Sequence, residues 1–396
     1  MGKLFTLGIE EEFQLVSRQS LQLCSGVNTI LERGTPYFAE KIKPEFTQST
    51  IELISDVCPD ISTARRELHT IRSLLARLID NEGMALISAG THPSSSWQDQ
   101  ATTEKERYVE LEEELQDVIR SNVIFGMHVH IAVENKDLAI KLMNQARTWL
   151  PHLLAISANS PFWNGRYTGI KSYRSALWKR VPRSGMPGIQ TSWNDFDQYV
   201  QALVEMECID NGKKIWWDIR PHPFFDTLEF RVCDMPATIE DTLALAALCQ
   251  ALIAKLTWCH KHNVDVPIFS REYLEENKWR AMRYGLDAEI IDFSKRRRLS
   301  MRDSINETLD FVEDVVDDLG SRREMDYLHA LTTSSGSTGA DRQVEVYKQT
   351  GDVDKVVQLL MEQTMQGITL DAADLSHNFL KFKMYEEAEA VKQGQK

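Results

Sequence analysis

Near its start the chain places three consecutive glutamates inside an apolar run: Gly8-Ile9-Glu10-Glu11-Glu12-Phe13, flanked by Leu4, Phe5, Leu7 and Leu15. The apolar residues mark a strand rather than a solvated acidic stretch. Side chains on a strand alternate faces, so Glu10 and Glu12 share one face and Glu11 takes the other. Two carboxylates at ~5 Å repel by roughly 3 kcal/mol at an effective dielectric of 20. Such a strand therefore needs water or a cation on its acidic face. A lone pair of this kind is satisfied by an edge strand with one wet face. A metal site requires partners elsewhere.

Partners stand further along, again at even spacing on predicted strands. Glu45 and Glu52 bracket a second strand region, Lys41 to Ile54. His128 and His130 share one face of the stretch Phe125 to Val133, with Met127, Val129 and Ile131 opposite. Glu229 and Arg231 share a face of Leu228 to Val232. Taken singly, each pair has a bland account as a half-exposed strand or a surface ion pair. Taken together, they build an oxygen-rich funnel of net negative charge. Carboxylates with one or two imidazoles suit Mg²⁺ or Mn²⁺, whereas zinc prefers more nitrogen or sulfur. Mg²⁺ usually shares its ligands with substrate phosphates, and Arg231 on the same face can neutralise a transferring phosphoryl group. Neither G-x-x-x-x-G-K-[ST] nor G-x-G-x-x-G occurs, so a nucleotide here must be held by metals and arginines.

Around these strands, helical periodicity is read from Pro59 to about Gly83, Glu104 to Arg120, Lys136 to Ser157 (bent at Pro151), Asp195 to Asp210, and through most of the chain after Thr238. Ser160 to Pro187 has no clean period and reads as a long functional loop. Strands joined both by helices and by tight turns predict an α+β fold with a mostly antiparallel sheet. The 59 acidic and 45 basic residues give a formal net charge of −14, which disfavours a nucleic-acid or anionic-membrane binder. Six cysteines without C-x-x-C spacing fit free thiols of a reducing compartment. The uncharged core of the most apolar helix, Thr242 to Ala254, is shorter than the ~18 residues that span a bilayer. A cytoplasmic protein is expected.

The long stretches carry more. GIEEEF from Gly8, PEFTQSTIEL from Pro44, AGTHP from Ala89, FGMHVHIAV from Phe125, the loop Ser157 to Arg180, DIRPHP from Asp218, TLEFRVCD from Thr227, Asn277 to Ala288, and TGADRQ from Thr338 resemble, in order, the type 2 glutamate–cysteine ligase family of ATP-dependent carboxylate–amine ligases. More distantly, GMHVH and LEFR resemble the metal and phosphate strands of glutamine synthetase. The resemblance implies a glutamine-synthetase-like fold: a curved antiparallel β-sheet funnel backed by helices, as one catalytic domain over residues 1–383 with a polar tail at 384–396. It implies that ATP phosphorylates the side-chain carboxylate of glutamate and that the amine of cysteine, or another amine, attacks the acyl phosphate to release ADP and phosphate. It assigns Glu10, Glu12, Glu45, Glu52, His128 and Glu229 to metal ligation, Glu52 and Arg231 to catalysis, and Arg231 with His130 to ATP. By charge and loop placement, Arg166, Arg174 and Arg180 fit the substrate carboxylate. Mg²⁺ or Mn²⁺ and a homodimer are expected as well. In Ser334 to Ala340 the chain departs from the family pattern by an extra serine before Thr338-Gly339.

Two other classes compete with this reading. A zinc or manganese hydrolase on His128, His130, His222 and Glu229 would hold transition metal and act without ATP. A non-catalytic descendant would bind nucleotide or amino acid only, and the intact carboxylate set argues against it, because idle buried charge costs stability.

Overall fold

The computed structural model describes residues 4–38 and 40–370 of the chain. The expected tail at 384–396 and the expected domain end at 383 lie outside the described residues. The central feature is a seven-stranded sheet of β1 (Leu7–Ser17), β2 (Ile42–Pro44), β3 (Thr50–Ile54), β4 (Met84–Ile87), β5 (Met127–Ala132), β6 (Ile219–Pro221) and β7 (Thr227–Phe230). The spatial order is β6-β7-β5-β1-β3-β2, with β4 paired to the far half of β1, and every pairing is antiparallel. The α+β expectation and the antiparallel sheet are both met.

Period-two alternation makes this sheet two-faced. On one face Ile9, Phe13, Ile51, Leu53, Met127, Val129, Ile131, Leu228 and Phe230 are all buried. Against the sheet pack the helices Ile61–Asp80, Lys136–Ala146 and Ile239–Lys261. Asp60 caps the first of these through its side chain, which accepts from Thr63 N at 2.9 Å, as the Pro-Asp-Ile-Ser sequence predicts. Helix Ile239–Lys261 begins with a Thr238/Asp241 capping box. Contrary to the expectation from its short uncharged core, it is long and apolar enough to cross a membrane, but 89% of its most apolar window is buried inside the protein. It serves as the core helix on which the others lie.

Four expectations change in detail. Lys136 to Ser157 is not one helix bent at Pro151. It divides at Arg147–Trp149 into Lys136–Ala146 and Leu150–Ser157, and Pro151 sits in the first turn of the second, where a missing N–H costs nothing. The break is tied down by the fully buried Arg147, whose guanidinium donates to the carbonyls of Pro187 at 2.9 Å and Phe269 at 2.8 Å. Glu104 to Arg120 likewise splits, at Gln116, whose φ is 48°. The functional loop Ser160 to Pro187 contains a small hairpin, Phe162–Trp163 with Arg166–Tyr167, and the helix Tyr173–Trp178. A second hairpin, Glu289–Asp292 with Arg297–Ser300, interrupts the helical second half. Its strands are four residues each, too short to register as a period.

Candidate active site

The polar face of the sheet collects the residues singled out above. In register, Glu12 stands opposite Glu52, Glu10 opposite His128, and His130 opposite Glu229. Paired residues of an antiparallel ladder point to the same side. A band of carboxylate and imidazole therefore runs across four adjacent strands, β3, β1, β5 and β7. Lys43 opposite Glu52 and Arg220 opposite Glu229 extend it at either end.

Glu10 is the centre of this band. Its Oε2 lies 2.8 Å from His128 Nδ1 and its Oε1 3.2 Å from His130 Nε2. The second contact lacks hydrogen-bond alignment, so His130 Nε2 is a buried nitrogen without a hydrogen-bond partner among the described residues. Glu229 receives Arg220 at 2.8 Å and 3.3 Å, and Arg231 Nη1 binds it as well. Arg231 Nη1 also lies 3.4 Å from His128 Nδ1. Glu12 accepts from the backbone N–H of Gly126, and its other oxygen is 4.0 Å from His128 Nε2. Glu45, which follows β2, accepts from the Tyr108 hydroxyl at 3.5 Å.

The charges divide into two halves. At the β5–β7 end, burial opposes the charge on Glu229, but Arg220, Arg231 and His130 outweigh it and hold the carboxyl well below the usual range. Glu10 is likewise held well below that range: burial works against its charge, and His128 and His130 outweigh burial. Burial and the nearby Arg231 bring His128 down to about 4, so at neutral pH it is an uncharged imidazole. At the β1–β3 end the balance reverses. Burial and then Glu10, Glu45 and Glu12 push Glu52 well above its ordinary value. Burial and Glu45 push Glu12 up to about 7, against the opposing pull of Arg174. Burial raises Glu45 too, with Glu10 adding to it and Arg107 opposing. At that end burial and mutual repulsion outweigh the nearby cations, so the carboxyls are pushed toward their neutral forms.

These residues fit a divalent metal. Two groups, Glu10 with Glu52 and His128, and Glu10 with His130 and Glu229, each present ligand atoms within 4.8 Å of one another. The donors are mainly carboxylate oxygens with a minority of imidazole nitrogens, the set that hard Mg²⁺ or Mn²⁺ takes. The crowded carboxyls around Glu52, pushed well above their ordinary range, are what a cation would relieve. Glu10 belongs to both groups, and the expected ligands Glu12 and Glu45 belong to neither.

Of the three loop arginines, the structure brings one to the band. Arg174 is buried at 4% exposure, and its guanidinium lies against Gly126, where an added Cβ would come within 2.3 Å of Nη2. Arg166 is exposed on the small hairpin, and Arg180 is exposed and donates to Ser121 Oγ at 3.1 Å. His222 sits at the edge, with its ring 5.6 Å from that of His130. Its Nδ1 accepts the N–H groups of Phe224 and Phe225 at 3.2 Å and 3.0 Å, which makes it a turn-former and removes one nitrogen from the hydrolase reading. Sequence reasoning missed Arg220 as the main partner of Glu229, although it stands in DIRPHP, and missed Arg107 beside Glu45.

Residues 6–359 match the family described as glutamate-cysteine ligase family 2. The chain belongs to that family. This ligase is 48% identical over 364 residues to a protein from Solibacter usitatus, covering 92% of this chain and 94% of the relative. A relative from Chloroflexus aurantiacus is 49% identical over 364 residues, covering 92% of this chain and 93% of the relative. Both are provisionally named glutamate–cysteine ligase 2. Among solved structures the ligase is similar to a glutamate–cysteine ligase from Francisella tularensis in complex with AMP, with a TM-score of 0.71 and 13% identity, covering 99% of this chain and 95% of that one. At that identity the likeness is one of fold, and it agrees with the glutamine-synthetase-like architecture read above.

Proposed function

We propose that this ligase joins the side-chain carboxylate of L-glutamate to the amine of L-cysteine, with ATP as phosphoryl donor, a γ-glutamyl phosphate as intermediate, and ADP and phosphate as products. The observation that carries the reading is the continuous carboxylate–imidazole band across β3, β1, β5 and β7, flanked by Arg231 and Arg220, in a chain of this family. Bringing a triphosphate to a carboxylate is opposed by charge repulsion, so this chemistry needs positive charge held in place beforehand.

Glu10, Glu52, His128 and Glu229 would hold Mg²⁺, with Glu12 and Glu45 at the margin and His130 at the Glu229 end. Bound there, the metal would supply Lewis-acid neutralisation of the phosphate oxygens. The chain's own groups do the rest. Arg231 is kept in one place by Glu229 and keeps its charge, because Glu229 outweighs the desolvation that opposes it. It faces the developing charge of the transferred phosphoryl group. Neutral His128 keeps a lone pair available. Arg174 faces the Glu12 end and is the loop arginine placed to meet a substrate carboxylate. One catalytic domain, a homodimer and a cytoplasmic location are part of the same proposal.

The test is incubation with ATP, Mg²⁺ and glutamate against a panel of amines, following ADP release and product mass. ADP release that requires both acid and amine supports the ligase reading, and the product mass names the amine. Absence of ADP release with every pair, together with stoichiometric bound zinc, would sink it in favour of a hydrolase.

A further inference from the structure

Beneath the band lies a buried carboxylate that the reaction does not touch. Asp234 is fully buried, three residues beyond Arg231, and its backbone bridges to Gly126. Its Oδ2 accepts from Asn159 N at 2.9 Å and Ser160 Oγ at 2.6 Å, and its Oδ1 accepts from Ser172 Oγ at 2.7 Å. Ser160 and Ser172 are the two ends of the loop that carries the Arg166 hairpin, and they bridge to each other. One carboxylate thus closes that loop at its base. Gly90 lies over it so closely that an added Cβ would come within 2.7 Å of Asp234 Cγ.

The clamp leads directly to Arg174. The same Ser160 Oγ that donates to Asp234 accepts from Arg174 N at 3.0 Å. The Arg174 guanidinium then runs under the site strands, donating to the carbonyls of Arg231 at 3.3 Å and Val232 at 3.4 Å. Its Nε is buried without a hydrogen-bond partner among the described residues. Gly126 touches both sides: it faces Arg174 where a side chain would be, and its N–H donates to Glu12. Besides these two long carbonyl contacts, the guanidinium is held by the charges of Asp234 and Glu12, both of which it pulls down, so its placement depends on the clamp at Asp234.

We propose that Asp234 is a positioning residue of the ligase site, holding Arg174 through Ser160 so that its guanidinium stays against Gly126 beside Glu12. This rests on the ligase reading for its kinetic effect but not for its geometry. Its test uses Ser160→Ala, which removes the shared oxygen and leaves Asp234 in place, Asp234→Ala, Arg174→Gln, and the double variant Ser160→Ala/Arg174→Gln. Each single variant is expected to lower kcat/KM for ADP release by about 10- to 100-fold, the scale of an ångström-level misplacement. Adding Arg174→Gln to Ser160→Ala is expected to cost less than about twofold more, because the guanidinium is already out of place. Fully multiplicative losses overturn the proposal, since a merely structural role predicts them. Should Asp234→Ala not fold, Ser160→Ala carries the test. A crystal structure of Ser160→Ala is expected to show the guanidinium moved off Gly126, and finding it in its original place overturns the proposal independently. If the unaltered protein releases no ADP with any acid and amine, the ligase reading fails by itself, and the crystal structure still decides the positioning.

Discussion

Glu10 and Glu11 are neighbours on one strand, chemically identical, and the fold treats them in opposite ways. Glu11 points into the core, fully buried, where Arg72 Nε binds it at 2.8 Å and Thr242 Oγ1 donates at 2.9 Å. Arg72 in turn lies 5.1 Å from the centre of the Phe13 ring. That charge is matched, and it fastens the helices Ile61–Asp80 and Ile239–Lys261 to the sheet. Glu10 points the other way, into a band where burial and mutual repulsion push Glu12, Glu45 and Glu52 above their ordinary range. A carboxylate paired inside the protein contributes structure. Carboxylates crowded without sufficient counter-charge are held at a cost in stability, and a bound cation and substrate recover it.

The contrast can be broken most severely on the site face. Glu10→Gln and Glu52→Gln are each expected to reduce ADP release by 1,000-fold or more, roughly 4 kcal/mol of barrier. Glu52→Gln should leave the thermal midpoint unchanged or higher, because it removes a like charge. Near-normal rates in both variants would mean that the band is not the site. On the core face the expectation reverses. Glu11→Gln should destabilise the fold by about 3–5 kcal/mol in urea titration, the cost of leaving a buried arginine unmatched. Its turnover per folded molecule should stay near normal, and a selective loss of turnover would erase the distinction between the faces.

A histidine on each side sharpens the same contrast. His152 is buried in the helical layer, and burial brings it down to about 4. The unfolded chain titrates near 6.5, so below that pH the unfolded state takes a proton that the folded state refuses. The contribution of His152 to stability is therefore complete above about pH 6.5 and declines as pH falls toward 4, by up to about 3 kcal/mol. His152→Asn should flatten that part of the pH profile, and an unchanged slope would refute the assignment. In the site, His130 moves in the opposite direction, because Glu229 and Glu10 outweigh its burial. The smallest effect concerns the metal. Mg²⁺ at about a hundred times its Kd should raise stability by about 2.7 kcal/mol, and Glu10→Gln should abolish the increase. An equal increase in both proteins would place the ion elsewhere.

Much of the site was legible because its signal is local. The pairs at spacing two in Gly8–Phe13, Phe125–Val133 and Thr227–Val232 each declare their shared face without reference to the rest of the chain. Loop arginines carry no such signal. Arg166, Arg174 and Arg180 looked equivalent from charge and placement, yet only Arg174 is carried inward, by a clamp whose carboxylate lies sixty positions away in sequence. Arg220 was passed over for a similar reason: its value comes from standing opposite Glu229 across a ladder. The break at Arg147 was misplaced to Pro151 because proline is a visible breaker, whereas three backbone carbonyls around a buried arginine are not.

The sequence by itself determined which glutamate faces which way, since alternation on a strand is fixed by backbone geometry from one residue to the next. It also determined the family, because long stretches in fixed order cannot recur by chance spacing. The tertiary structure alone decided who meets whom. Placing β1 between β5 and β3 is what brings Glu10 to His128 and Glu12 to Glu52, residues separated by 118 positions in the first case. Strand order and register are set by how the whole apolar face is buried, and no short stretch of chain contains that information.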